Sequence, residues 1–100
     1  MLAESKQVIL TGDKTQCADI RIIPTGIIEV DIPSEERHYE ADFAQLCFYT
    51  RTQKTELVCR SEQKNDVVQW KLEIANDDAR ELLSMIERAE DEFEQLMRSL

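Results

Sequence analysis

Apolar and polar positions alternate with a period of two from residue 67 to residue 74, and then the period changes to about 3.6. Val68, Trp70, Leu72 and Ile74 alternate with Val67, Gln69, Lys71 and Glu73. From Asp78 onward apolar residues recur at Ala79, Leu82, Leu83, Ile86, Phe93, Leu96, Met97 and Leu100. A half-buried strand over 67–74 therefore feeds one amphipathic helix, predicted over 77–99. Asn76 is placed to cap that helix. Asp77 and Asp78 put negative charge at the positive end of its dipole, and no Gly or Pro interrupts it.

Upstream the pattern predicts shorter strands. Residues 6–11 hold Val8, Ile9 and Leu10, and Gly12-Asp13-Lys14 turns the chain. Residues 17–23 and 26–32 pair as a hairpin about Pro24-Thr25-Gly26, with Ile28, Val30 and Ile32 on one face. A polar break over 33–37 precedes a short strand or extended link over 38–43. Residues 44–50 set Leu46 and Phe48 against Cys47 and Tyr49, and 51–54 turn into a strand over 55–61. Residues 62–65 turn again before the last strand. Six or seven strands within 6–74, joined by short turns, form an antiparallel meander, because parallel strands would need intervening crossovers.

The predicted fold is α+β, in a single domain over 1–100. A bent antiparallel sheet or partly open barrel is closed by one long C-terminal helix. Leu82, Leu83 and Ile86 are expected to plug the inward face formed by Ile28, Val30, Phe48, Trp70 and Leu72. More than twenty helical residues span about 35 Å, whereas one small sheet covers about 20–25 Å. The last turns, with Phe93, Leu96, Met97 and Leu100, are therefore expected to overhang. They would touch another copy, another protein or a further part of a parent chain.

Composition narrows the partners. The chain has 100 residues, 42% of them hydrophobic, and a net charge of -9. That supports one small core, with a stability margin of about 5–10 kcal/mol. The charge argues against nucleic acid and against an anionic membrane, and it suits a basic protein partner. Cys17, Cys47 and Cys59 form no C-x-x-C motif and no Cys/His pair at ligand spacing, so no zinc site is expected. Cys47 and Cys59 lie in apolar strands and read as buried free thiols, which places the chain in a reducing compartment, cytoplasmic or nuclear. Charge comes too early at the N-terminus for a signal peptide, and no apolar run reaches membrane-spanning length.

Catalytic chemistry has little to stand on. His38 is the only histidine, and no Ser or Cys is tied to it by spacing; it reads as a surface histidine beside Glu36 and Glu40. Two glycines make no phosphate-cradling loop. The acids Glu29, Asp31, Glu35, Glu36, Glu40 and Asp42 lack calcium-loop spacing and read as a solvated rim or a dock for Lys and Arg. No enzyme activity, cofactor or metal is expected. The basic residues Arg51, Lys54, Arg60, Lys64 and Lys71 gather about two turns and one strand face, with Arg60 and Lys71 pointing the same way. They either receive an acidic peptide or phosphate, or pair with nearby acids and guard an edge. The candidate protein-binding residues are Phe93, Leu96, Met97, Leu100, Arg51, Lys54, Arg60 and Lys71.

The order of elements resembles the pleckstrin-homology-like superfold: two strands about a turn, the piece His38-Tyr39-Glu40-Ala41-Asp42-Phe43, two more strands, and a final strand into a closing helix. The resemblance covers nearly the whole chain and is closest at Trp70-Lys71-Leu72-Glu73-Ile74 followed by Ala79, Leu82, Leu83 and Ile86. Lipid-binding members carry a basic cluster at the first hairpin loop; here that loop reads as Pro24-Thr25-Gly26, with Glu29 and Asp31 following. They also place a tryptophan in the closing helix, whereas the single Trp here is in the strand. The chain looks more like divergent, protein-binding members. The resemblance implies a non-catalytic interaction module, part of a larger intracellular protein, that engages a partner between the helix and an edge strand. One alternative is an assembly domain that forms a homodimer through the helix. Another is a small ligand-binding or enzymatic barrel.

Overall fold

The structure, a computed structural model, describes residues 3–11, 16–61 and 67–99. Its strands are β1 (Glu4–Leu10), β2 (Gln16–Ile23), β3 (Ile27–Ile32), β4 (Arg37–Asp42), β5 (Leu46–Thr50), β6 (Lys54–Arg60) and β7 (Val68–Ala75), followed by helix α1 (Asn76–Arg98). All seven strands lie in one sheet, in the order β4-β3-β2-β1-β7-β6-β5, and every pairing is antiparallel. The fold is thus the predicted α+β arrangement, with a sheet that does not close. The expected turns at 12–14 and 62–65, together with Lys64 and Leu100, lie outside the described residues.

Local chemistry sets the element ends. Pro33 opens a 3-10 turn, Pro33–Glu35, where its missing N–H costs nothing, and Glu36 ends it in the left-handed region at φ 52°. Gly26 takes φ 111° between β2 and β3, which a side chain would resist. The piece expected over 38–43 is a full strand over 37–42, paired with β3 from Ile27↔Asp42 to Ile32↔Arg37. β5 starts later than expected because Phe43–Gln45 forms a second 3-10 turn, in which the Asp42 N–H donates to Gln45 Oε1 at 3.0 Å. β1 pairs with β2 along its whole length, so the connection at 24–26 is the second in the meander, not the first.

The joint between β1 and β7 is narrow. It consists of the pair Leu10↔Ile74 and one flanking bond, from Thr11 N–H to the Glu73 carbonyl at 2.8 Å. Four strands on one side and three on the other can therefore bend towards each other about that point. Alternation sends Val8, Ala18, Ile20, Ile22, Ile28, Val30 and Ile32 inward from one half, and Leu57, Cys59, Trp70, Leu72 and Ile74 from the other. Burying each large aliphatic side chain contributes about 1.5–3 kcal/mol before entropy is subtracted. Trp70, in β7, stacks on Tyr39, in β4, with ring centroids 5.3 Å apart and planes at 20°. That contact spans the two halves.

Helix α1 closes the core with Ala79, Leu82, Met85, Ile86 and Ala89. The expected plug included Leu83, but Leu83 is 40% exposed. The buried stripe recurs at 79, 82, 86 and 89, and Leu83 sits one residue round from its centre, on the rim facing β5. Met85 and Ala89 take its place. Asn76 also differs from expectation. It is the first helical residue, Ala75 holds the cap position, and no side chain caps the end. The Asn76 amide is used elsewhere: Thr55 Oγ1 donates to its Oδ1 at 2.7 Å, and its Nδ2 donates to the Arg51 carbonyl at 3.2 Å. Thr55 is the one buried polar residue among those described, and a buried hydroxyl needs that partner. Ion pairs fasten the outer side of the helix to β1: Lys6 with Glu81 and Asp78, and Arg88 with Glu4 at 3.3 Å.

Candidate functional site

β4 and β5 are the two edges of the sheet. An edge strand offers unpaired backbone N–H and C=O groups, and charge is the usual guard against unwanted pairing. β4 is guarded by Arg37, His38, Glu40 and Asp42. β5 reads Leu46-Cys47-Phe48-Tyr49-Thr50 and carries no charge at all. One side of β5 is bonded to β6, in register from Leu46↔Cys59 to Thr50↔Thr55. No described strand pairs with its other side.

A groove runs between that edge and the helix. Phe48, Thr50 and Thr55 form one wall, and Asn76, Ala79, Arg80 and Leu83 form the other, enclosing about 330 Å³. Phe48 points inward from β5 and is half-buried against the core. Leu83 stands across from it, on the helix rim. The bonds from Asn76 to Thr55 and to the turn after β5 fix the near end of the groove. Arg80 beside it is paired with Asp77. The floor is thus apolar, one end is polar, and the free backbone edge lies alongside. Sequence reasoning assigned Leu83 to the core and did not use the missing charges of β5. The uncharged run 46–50 was present as a signal, whereas Leu83 is set apart from Leu82 only by how the helix is rolled on the sheet.

The predicted basic residues do not make one free patch. Arg51 pairs with Glu56 at 3.0 Å and Lys54 with Glu73 at 2.9 Å, the intramolecular pairing weighed above. Arg60 donates from Nη2 to the Tyr49 hydroxyl at 2.6 Å and lies over the Tyr49 ring, 5.7 Å from its centroid. Val58, next but one along β6, is buried although it faces outward. Lys71 is opposite Val58 on the outer face, and the register between β6 and β7 shifts at Cys59/Arg60, so Arg60 pairs with Val68. Lys71 also borders an open cleft of about 570 Å³ with Arg37, Tyr39, Glu35 and Glu73.

The predicted helix residues are placed as an overhang. Core burial along α1 ends at Ala89. Phe93 is half-buried, Leu96 is 45% exposed and Met97 54% exposed. Leu100 lies outside the described residues.

The three cysteines are free: Cys59 is buried, Cys47 half-buried and Cys17 exposed. Burial pushes the Cys59 thiol up, with Asp42 and Cys47 adding to it, so it is a poor nucleophile. His38 has neighbours that sequence distance hid. Its Nδ1 lies 2.6 Å from Asp31 Oδ1 and its Nε2 3.8 Å from a Glu29 oxygen. The Asp31 hydrogen bond, more than the nearby Glu29 and Glu40 charges, raises the imidazole above its ordinary pKa. No helix among the described residues is long and apolar enough to cross a membrane. Compared with known proteins, the sequence matches no protein-family model and no curated protein.

Proposed function

We propose that this chain is a non-catalytic protein-interaction module of the pleckstrin-homology-like type, and that its partner binds as an extended segment along β5. The observation that carries this reading is the contrast between the two sheet edges. β4 bears three charged side chains and a histidine, whereas β5 bears no charged side chain and borders an apolar groove. An uncharged, apolar edge is an aggregation hazard unless pairing is its purpose. The partner's backbone would extend the sheet at β5, and one of its apolar side chains would enter between Phe48 and Leu83. The net charge of -9 favours a segment with basic residues around that anchor. Three free cysteines fit an intracellular, reducing setting.

The test is selection of peptides from a displayed library, followed by mapping of amide shifts by NMR. Selected peptides should shift residues 46–50 and 79–83. Leu83→Glu places a charge on the groove wall from a partly exposed position, so the fold should persist while affinity falls at least about tenfold, the equivalent of 1.4 kcal/mol. Peptides that map to another face, or that bind the variant unchanged, would sink the reading.

A second reading rests on a separate observation. Leu96 and Met97 continue an apolar stripe beyond the last core residue of the helix. Under this reading α1 assembles the chain with another copy of itself or with another helix.

A further inference from the structure

The outer face of β3 and β4 carries two cross-strand rows of acidic and imidazole side chains. Asp31 is opposite His38, and Glu29 is opposite Glu40. The Asp31 carboxylate accepts from Nδ1 at 2.6 Å. A neutral imidazole held that way keeps its proton on Nδ1 and presents the lone pair of Nε2, the arrangement by which carboxylates orient metal-binding histidines. Here Nε2 is turned towards Glu29, 3.8 Å away. One donor atom each from Glu29, His38 and Glu40 lie within 4.8 Å of one another.

We propose that Glu29, His38 and Glu40 bind a divalent transition-metal ion, best matched by zinc, with Asp31 as the positioning residue for His38. The donor set selects the metal class. Calcium and magnesium take oxygen ligands, and an imidazole nitrogen in the triad favours zinc and its first-row neighbours. Geometry is within reach. Zinc bonds of about 2.0–2.2 Å set tetrahedral donors about 3.3–3.6 Å apart. The present spacing contracts to that by rotamer adjustment of side chains that are exposed or half-buried. Three protein donors leave a further position for water or for a partner's group.

A second observation concerns the sheet face itself. Glu29 stands directly opposite Glu40, and Asp19 directly opposite Asp31. Directly opposed like charges destabilise a sheet, and the only arginine in these rows is Arg21, 3.7 Å from Glu29. A dication held between the carboxylates removes that repulsion. None of these residues lies in the β5 groove, so the site is independent of the reading above.

The experiment adds zinc chloride to the labelled chain, freed of metal beforehand, and follows His38 ring signals and backbone amides by NMR. One equivalent of zinc should move residues 29, 31, 38 and 40, while magnesium and calcium at equal concentration leave them in place. His38→Asn should weaken zinc binding at least about 100-fold, Glu40→Gln by a similar factor and Asp31→Asn by less, at the lower end of the range of about 10–100-fold typical of outer-shell changes. Circular dichroism checks that each variant is folded; should His38→Asn unfold, Glu40→Gln and the shifts of the unaltered chain decide. The free thiols are the competing ligands. Shifts centred on Cys17 or Cys47, zinc binding unchanged in His38→Asn or Glu40→Gln, or no binding at millimolar zinc would each overturn the proposal.

Discussion

Trp70 shows what one side chain does in this fold. Its strand alternates inward, it is 8% exposed, and its ring stacks on Tyr39 from the opposite half of the sheet. Trp70→Ala should therefore remove both core volume and the contact that spans the two halves, at a cost of about 3–5 kcal/mol. A domain of this size holds only about 5–10 kcal/mol in total. Urea denaturation should show the variant largely unfolded or with its midpoint sharply lowered; a near-native midpoint would mean the stack carries little. The inward phase of Trp70 was legible in the sequence because a period of two admits only two phases, and the other would bury Gln69, Lys71 and Glu73. Leu83 was not legible in the same way. Leucine at 82 and at 83 suit a helix equally, and the choice between them is made by how the helix is rolled against β6 and β7. Asn76 shows a related limit. It has the chemistry of a cap, but a buried Thr55 from another strand claims its amide.

At the scale of elements, the switch of period at residue 75 located β7 and α1 to within a residue or two, and the other six strands were similarly placed. Pairing was harder. That β5 is an edge follows from the bend at β1 and β7, a contact between residues 64 positions apart, Leu10↔Ile74, which no local pattern encodes. The helix is fixed to β1 largely by charge, and this gives a pH dependence with a definite sign. Lys6, hydrogen-bonded to Glu81, holds the Glu81 carboxyl below its ordinary pKa. A group with a lowered folded pKa contributes stability above its unfolded value, about 4.3 for glutamate, and that contribution is lost as pH falls through the folded value. Melting temperature should therefore drop on acidification through that window by more in the unaltered chain than in Lys6→Met, which lacks the pair. Equal slopes would show the tie to be without thermodynamic weight, as exposed pairs often are. The far end of the helix makes a different prediction. Phe93→Glu with Met97→Glu should leave the core intact, since Leu82, Met85 and Ile86 remain buried. Under the assembly reading, light scattering should show self-association or partner capture weakened by at least about 2 kcal/mol. A monomer unfolded by the pair of changes would mean the helix is needed to its end for the fold itself.

The whole molecule brings shape and charge together. It measures 48 Å along its longest axis and 29 Å across the other two, as a compact sheet with an overhanging helix should. The bent sheet and its closing helix are an architecture that serves many functions, so the fold alone assigns none. Charge is the more discriminating property. A net charge of -9 spread over 100 residues repels polyanions at every orientation unless a local basic cluster overrides it. Two candidates for such a cluster are neutralised, Arg51 by Glu56 and Lys54 by Glu73, while Arg60, hydrogen-bonded to the uncharged Tyr49 hydroxyl, keeps its charge. The connection between β1 and β2 holds one lysine, Lys14, next to Asp13, and the connection between β2 and β3 holds no basic residue. Each basic residue near an anionic membrane contributes only about 1 kcal/mol, so Lys71 and Arg37 at the open cleft fall far short of tight binding. The same few cations would release too few counterions for tight DNA binding. Vesicles containing phosphoinositides, sedimented at about 0.15 M salt where screening acts over about 8 Å, should leave the chain in the supernatant. A duplex DNA of arbitrary sequence should not shift in a gel at the same salt. Sub-micromolar binding to either would require a basic surface that these ion pairs do not leave, and would redirect the search for a partner from basic protein segments to polyanions.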